Sequence, residues 1–106
     1  MVSFMELQES FRAPFLQLAW QRHGRIADLV GRGDAAELRS AASELHCLSG
    51  EASMLDFGVV ADLARHAEEA ARQGDRPRLS KLIADLHTAI EAVQAGGQAT
   101  AGETGG

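Results

Sequence analysis

Apolar residues recur at steps of three and four positions in four segments of this chain, and this spacing most strongly limits its fold. Such spacing lines one face of an α-helix, whereas a half-buried strand has apolar residues at every second position, a pattern that no segment shows. The chain is 45% hydrophobic but only 5% aromatic, so its core is expected to consist mainly of Leu, Ala, Val and Ile. These side chains suit packed helices better than a sheet. We therefore predict an all-α fold.

The predicted helices are separated by residues that end or begin helices. Gly33 follows the first segment, and Asp34 is a good N-cap for the second, which is expected to end near residues 56–58. Gly74 ends the third segment, and Pro77 fits the first turn of the fourth. Because short connections force neighbouring helices to run antiparallel, we predict an up-down-up-down four-helix bundle.

The first helix contains a proline, which should disturb it. Pro14 lacks the backbone N–H and clashes with the preceding turn, so a kinked or split first helix is expected. Trp20 falls opposite the apolar stripe and has two open interpretations, an exposed contact for a partner or a residue covered by the bent N-terminal segment. The stripe that is expected to be buried consists of Phe4, Leu7, Phe11, Phe15, Leu18, Ile26 and Leu29.

The chain of 106 residues is long enough for one domain. We assign residues 1–95 to the bundle and residues 96–106, GGQATAGETGG, to a flexible Gly/Ala/Thr tail or linker. Two interpretations of this tail are open, a linker to a further domain and a simple frayed end. No apolar run is long enough to cross a membrane, and no secretory signal is evident.

Charge and cysteine content exclude several classes of function. The formal net charge of −5 argues against a nucleic-acid-binding protein, which would have a clustered basic surface. Cys47 is the only cysteine, so no disulfide can form within the chain, and a cytoplasmic protein is expected. We expect Cys47 to be an incidental surface thiol.

Metal and cofactor sites are also not expected. The four histidines lie in four different segments, and none has the spacing of a metal-ligand motif. The sequence contains no glycine-rich phosphate loop, so we expect no cofactor and no nucleotide site. The histidines are His23, His46, His66 and His87.

The stretch 44-ELHCLSGEASMLDFG-58 places a histidine among small residues on the second helix. With about 100° per residue, His46 lies about 100° from Leu45, at the edge of the buried stripe. Ser49 and Gly50 occupy the positions three and four residues later, which flank a side chain on a helix surface. The imidazole is therefore expected to be open to a partner, although on geometry alone an ordinary surface histidine is the commoner case.

The sequence HCLSGEASMLDFG resembles the His-x-x-Lys-Gly-x-x-x-x-x-Gly signature of histidine phosphotransfer (HPt) domains. It is most similar to the N-terminal phosphorylated domain of chemotaxis-type histidine kinases. The resemblance implies a four-helix bundle in which His46 accepts a phosphoryl group and Gly50 is the glycine beside it. It also implies that Glu68, on the third helix, orients the imidazole, and that Phe57 closes the turn.

Three positions depart from the family signature. Ser49 stands in the place of the lysine, Ser53 replaces a commonly basic residue, and Asp56 replaces the second glycine. Arg65 and Arg72 lie one turn on either side of Glu68. Two interpretations are open: one arginine replaces the missing charge, or Arg72 simply pairs with Glu68 at i,i+4.

The resemblance implies a phosphorelay carrier that takes a phosphoryl group from a histidine kinase catalytic domain and passes it to the aspartate of a response-regulator receiver domain. Such a carrier has no ATP site of its own and is either free-standing or the front domain of a kinase. We expect a monomer that binds neither nucleic acid nor membrane. The residues expected to flank His46 and to contact partners are Ser43, Ser49, Gly50, Ser53 and Arg65.

Two other functions are compatible with the sequence. A degenerate HPt-like module would dock a kinase or a receiver without carrying phosphate, as the loss of the lysine at Ser49 suggests. An unrelated helical interaction domain would contain the His–Gly spacing by accident.

Overall fold

The computed structural model describes residues 3–96, which form four α-helices and no strand. The helices are α1 (Phe4–Arg32), α2 (Ala35–Met54), α3 (Gly58–Gln73) and α4 (Arg76–Gln94). The all-α prediction is confirmed. The predicted tail lies almost entirely outside the described residues.

The helices form a ring in which α1 packs against α2 and α4, and α3 packs against the same two helices. Contacts between the helices show their directions. Arg12, near the start of α1, donates to the backbone oxygen of Val93 at the end of α4, while His23, further along α1, contacts the backbone oxygen of Ile83. The predicted antiparallel four-helix bundle is therefore confirmed.

The helix ends follow the signals in the sequence. Asp34 and Asp75 accept hydrogen bonds from backbone N–H groups in the first turns of α2 and α4. Gly33 and Gly74 adopt the left-handed conformation, with φ of 75° and 71°, that ends α1 and α3. Pro77 lies in the first turn of α4. These local signals are sufficient to place the connections between the helices.

The large side chains of the core come mainly from α1, α2 and α4, whereas α3 contributes almost only small ones. Apart from Val60, every buried residue of α3 is an alanine. Short side chains allow helix axes to approach toward the lower end of the usual range of about 8–10 Å. The buried alanines of α3 are Ala61, Ala64, Ala67, Ala70 and Ala71.

Helix α1 continues through Pro14 without dividing into two helices. Phe15 and Ile26 are buried as predicted, but Phe4, Leu7 and Phe11 are 42–50% exposed, so their predicted burial is wrong. For Phe4 and Leu7 the reason is length, because the 29 residues of α1 span about 43 Å and the 20 residues of α2 about 30 Å. Phe11 instead lines an open groove between the two helices.

The N-terminal part of α1 extends past the end of α2, and this extension begins near Gln8. Its side chain donates to the backbone oxygen of Leu55, at the end of α2. The apolar residues around this point line an open groove of about 350 Å³ between α1 and α2. Its apolar lining residues are Leu7, Phe11, Pro14, Phe15, Leu18, Met54 and Leu55.

Trp20 matches neither of its two interpretations. It is half-buried against α4, where its indole N–H donates to Oε1 of Gln94 at 2.9 Å and its ring lies 4.9 Å from that of His87. A helix in a four-membered ring packs against two neighbours. The buried sector of α1 is therefore wider than one apolar stripe, and α4 covers the side on which Trp20 lies.

The turn between α2 and α3 is fixed by a buried aromatic ring. Phe57 is fully buried, and its ring lies 5.0 Å from that of Phe15. The preceding residue, Asp56, has a φ of 59°, in the left-handed region that non-glycine residues rarely adopt. The backbone thus keeps the conformation suited to the glycine that stands here in the HPt signature.

We expect Asp56→Gly to stabilise the folded protein by about 0.5–1 kcal/mol. Glycine removes the steric cost of the left-handed conformation, about 1–2 kcal/mol, and the greater flexibility of the unfolded chain offsets part of this gain. Urea unfolding measures the difference. Asp56→Ala, which keeps the strain and loses the side-chain oxygens, should be destabilising, and a glycine variant no more stable than the wild type would contradict the prediction.

A part-buried ion network joins α1 to α2. Arg22 donates to Glu51 at 2.8 and 3.0 Å and to Glu44 at 2.8 Å, while Arg25 also donates to Glu44. The hydrogen bond from Arg25 is the largest influence on the pKa of Glu44. Together with the bond from Arg22, it lowers that pKa below its ordinary value despite partial burial. The ionised form of Glu44 therefore favours the folded state.

We expect Glu44→Gln to lower the free energy of unfolding at neutral pH by about 1–2 kcal/mol. Because the folded pKa of Glu44 is lowered, its contribution is complete above the unfolded pKa of about 4.3 and disappears as pH falls through the folded pKa. The difference between wild type and variant should therefore shrink in this acidic window. Urea unfolding at a series of pH values measures it, and a difference independent of pH would be the contrary result.

The matched control for this experiment is Glu69→Gln. Glu69 is 60% exposed and makes a single contact of 3.4 Å with Arg78. An exposed pair of this kind contributes little to stability. The control variant should therefore show a small effect across the whole pH range.

Candidate functional site

His46 lies on the side of α2 that borders α3, and its side chain is 72% exposed. The predicted position at the rim of the bundle is confirmed. The α2 residues that flank it are all small: Ser43 one turn before, Ser49 and Gly50 one turn after, and Ser53 two turns after. No long side chain of α2 therefore covers the imidazole from these positions.

Glu68 reaches His46 from α3, as predicted. Its Oε1 lies 3.3 Å from Nδ1 of the imidazole, and its side chain is only 15% exposed. A neutral imidazole that donates Nδ1–H to this carboxylate has its free lone pair on Nε2. The pair therefore combines an anchored nitrogen with a nucleophilic one on the same exposed ring.

Arg72 holds the other oxygen of the same carboxylate. Its Nε and Nη2 donate to Oε2 of Glu68 at 3.0 and 2.9 Å. The interpretation of Arg72 as the i,i+4 partner of Glu68 is confirmed. Arg65, on the other side of Glu68, donates instead to Asp62 at 2.8 Å.

Ser49 takes the lysine position of the signature but faces its own helix. Its hydroxyl donates to the backbone oxygen of His46 at 2.9 Å. A serine hydroxyl commonly makes this bond to the preceding turn of a helix. In this arrangement α2 supplies no cation from the position where the signature has lysine.

No packing contact within the described residues requires a glycine at position 50. A Cβ atom built at this position would have nothing within 4 Å, and its backbone conformation is ordinary for a helix. Glycine in a helix interior nevertheless costs about 0.5–1 kcal/mol relative to alanine. The structure of the isolated domain therefore does not account for glycine at this position.

Sequence reasoning missed one cluster of rings. The imidazoles of His23 and His87 lie 5.3 Å apart, on α1 and α4, and both lie near the indole of Trp20. No spacing along the chain indicates this contact, because it joins two helices that are about 60 residues apart in sequence.

Two further classes of site can be assessed within residues 3–96. No group of three or more His, Cys, Asp or Glu side chains in this range is arranged to hold a metal ion. None of the helices in the same range is long and apolar enough to cross a membrane. Cys47 is exposed and has a free thiol.

Comparison with known proteins identifies the family of the chain. The model of the Hpt domain family matches residues 10–96, which include all of α2, α3 and α4 and most of α1. Searches of curated proteins and of solved structures gave no match. The matched range covers most of the chain and contains both His46 and Glu68. The chain therefore belongs to the Hpt domain family, whose members take part in histidine phosphotransfer in two-component phosphorelays.

Proposed function

We propose that this domain accepts a phosphoryl group on His46 from a histidine kinase and passes it to the aspartate of a receiver domain. The observation that carries the proposal is the exposed imidazole of His46, whose Nδ1 lies against Glu68 of the neighbouring helix. Membership in the Hpt family supports the same role. The kinase brings the nucleotide, and the domain itself acts as a carrier.

The proposed reaction uses the two ring nitrogens differently. Nε2 attacks the phosphorus atom of the donor, a new N–P bond forms, and the bond from phosphorus to the leaving group breaks. Nδ1 keeps its proton, so the ring becomes cationic, and the Glu68 carboxylate stabilises that charge. Attack by the receiver carboxylate then breaks the N–P bond and returns the neutral imidazole.

Gly50 has an explanation on this proposal. Its missing side chain leaves free space on the surface of α2, one turn from His46. A kinase or receiver must bring its reacting atoms within about 3–3.5 Å of Nε2, which requires its backbone to approach the helix closely. The requirement for glycine then comes from the partner and not from the folded domain.

A second candidate function is favoured by Ser49. Because its hydroxyl is bonded to the backbone of His46, the lysine of the signature has no replacement at that position. A domain of this kind could dock a kinase or a receiver and hold it without carrying phosphate. The labelling experiment on His46 separates the two functions.

We expect His46→Gln to abolish phosphorylation by a cognate histidine kinase and radiolabelled ATP. The wild-type label should be acid-labile and alkali-stable, as a phosphorus–nitrogen bond requires. The matched control is His66→Gln, which removes an exposed histidine of α3 and should label normally. Undiminished labelling of His46→Gln would refute the carrier function, and an unlabelled wild type that still binds the kinase would favour the docking function.

We expect Gly50→Ala to stabilise the fold by about 0.5–1 kcal/mol and to slow phosphotransfer to and from His46. The new methyl group meets no atom of the domain but occupies the surface that a partner must approach. Urea unfolding and transfer rates measure the two effects. Gly24→Ala is the control, because Gly24 is also an exposed helical glycine with nothing near its Cβ position, and it should stabilise α1 without slowing transfer. Equal transfer rates in wild type and Gly50→Ala would contradict the steric role.

A further inference from the structure

The carboxylate of Glu68 is divided between two partners. Oε1 faces Nδ1 of His46 at 3.3 Å, and Oε2 accepts two N–H bonds from Arg72 at 2.9 and 3.0 Å. We propose that Arg72 is a positioning residue that holds Glu68 in the orientation that selects the reactive tautomer of His46. The consequence of Arg72 for phosphotransfer rests on the proposed function, whereas its effect on the tautomer of the His46 ring does not.

Geometry gives Arg72 control of the carboxylate plane. The guanidinium is planar and rigid, and two of its N–H groups converge on the same oxygen. The carboxylate of a glutamate otherwise rotates broadly about its last torsion. With Oε2 fixed by Arg72, Oε1 is directed at the imidazole.

Arg72 is the arginine that contacts this carboxylate. Arg65, on the opposite side of Glu68, is engaged with Asp62 at 2.8 Å. Ser49 is turned to the backbone of α2 and does not contact Glu68. Removing Arg72 therefore leaves Glu68 with His46 alone among the hydrogen-bond partners that the described residues provide.

The state of the imidazole depends on this contact. A neutral histidine without a partner favours the tautomer with the proton on Nε2, which leaves the outward nitrogen without a lone pair for attack. An acceptor at Nδ1 shifts the proton to that nitrogen and frees Nε2. The equilibrium between the tautomers therefore reports directly how well Glu68 is held.

Two effects of Arg72 oppose each other. Its positive charge withdraws density from the carboxylate and weakens Oε1 as an acceptor, whereas its two bonds keep Oε1 in place. The guanidinium is 54% exposed, so solvent screens its charge. The contact of 3.3 Å is longer than the usual N–H···O distance of about 2.9–3.0 Å, so a small displacement of Glu68 would break it. Positioning therefore outweighs charge withdrawal.

The first test measures the tautomers of His46 in the unphosphorylated domain. Ring nitrogen chemical shifts of ¹⁵N-labelled protein, recorded where the imidazole is neutral, give the ratio of the two forms. We expect Arg72→Gln to increase the Nε2–H form relative to Nδ1–H at least about twofold, and Arg72→Lys to restore part of the wild-type ratio. Arg65→Gln, which removes an arginine of similar exposure from the same helix, should leave the ratio unchanged. An unchanged or reversed ratio in Arg72→Gln would overturn the proposal.

The second test asks whether Arg72 acts through Glu68. Phosphoramidate serves as a donor that needs no protein partner: its P–N bond breaks, ammonia leaves, and Nε2 of His46 gains the phosphoryl group. We expect Arg72→Gln to slow this reaction about three- to tenfold with Glu68 present and to add no further slowing in a Glu68→Gln background. Equal slowing in both backgrounds would overturn the positioning role.

The two proposals fail in different ways. If a cognate kinase does not label His46, the carrier function fails, while the tautomer ratio still decides the role of Arg72. If His46 is labelled by the kinase but Arg72→Gln changes neither the tautomer ratio nor the rate with phosphoramidate, the carrier function stands and the positioning role fails. Urea unfolding of each variant verifies that the bundle is intact.

Discussion

The short side chains on the buried face of α3 are the constraint on which the site depends. Short side chains at a buried face allow helices to pack closely, and Oε1 of Glu68 lies 3.3 Å from the imidazole of His46 on the neighbouring helix. Leucines in their place would overpack the core, and we expect the resulting helix shifts to lengthen the contact between Glu68 and the ring. On the opposite side of α2, Arg22 ties the helix to α1 through Glu44 and Glu51. These contacts together fix the rotation of α2 and hence the direction of His46.

Much of this arrangement could be predicted from the sequence because it depends on local signals. The four helices follow from apolar spacing, and their ends follow from Asp34, Gly74 and Pro77. The approach of Glu68 to His46 was available only from the resemblance to the HPt signature, since no spacing rule connects residues on different helices. The pairing therefore comes from the resemblance, and the exposure of the ring comes from helical periodicity. The match over residues 10–96 shows the family.

The features that the sequence did not predict all depend on contacts between helices. Phe11 has helical spacing with Phe15, yet it is about half exposed because it lines the open groove between α1 and α2. Trp20 lies off the apolar stripe, yet it is half-buried because α4 covers that side of α1. A helical wheel describes one helix and one face. In a ring of four helices, each helix packs against two neighbours that differ in length. A helical wheel shows neither the number of neighbours nor their lengths.

The departures from the HPt signature have unequal physical consequences. Asp56 replaces a glycine but keeps its left-handed backbone, so the turn that starts α3 is preserved at a modest cost in strain. Ser49 replaces a lysine and turns toward its own helix, so the site loses a cation that backbone geometry cannot restore. Arg72 is linked to the imidazole by hydrogen bonds through Glu68, and it is the cation of the described residues that this network connects to the ring. On the proposed function, a site without a cation beside the attacking nitrogen would depend more heavily on having that nitrogen in its reactive form, which is the form that the proposed Arg72–Glu68–His46 chain would favour.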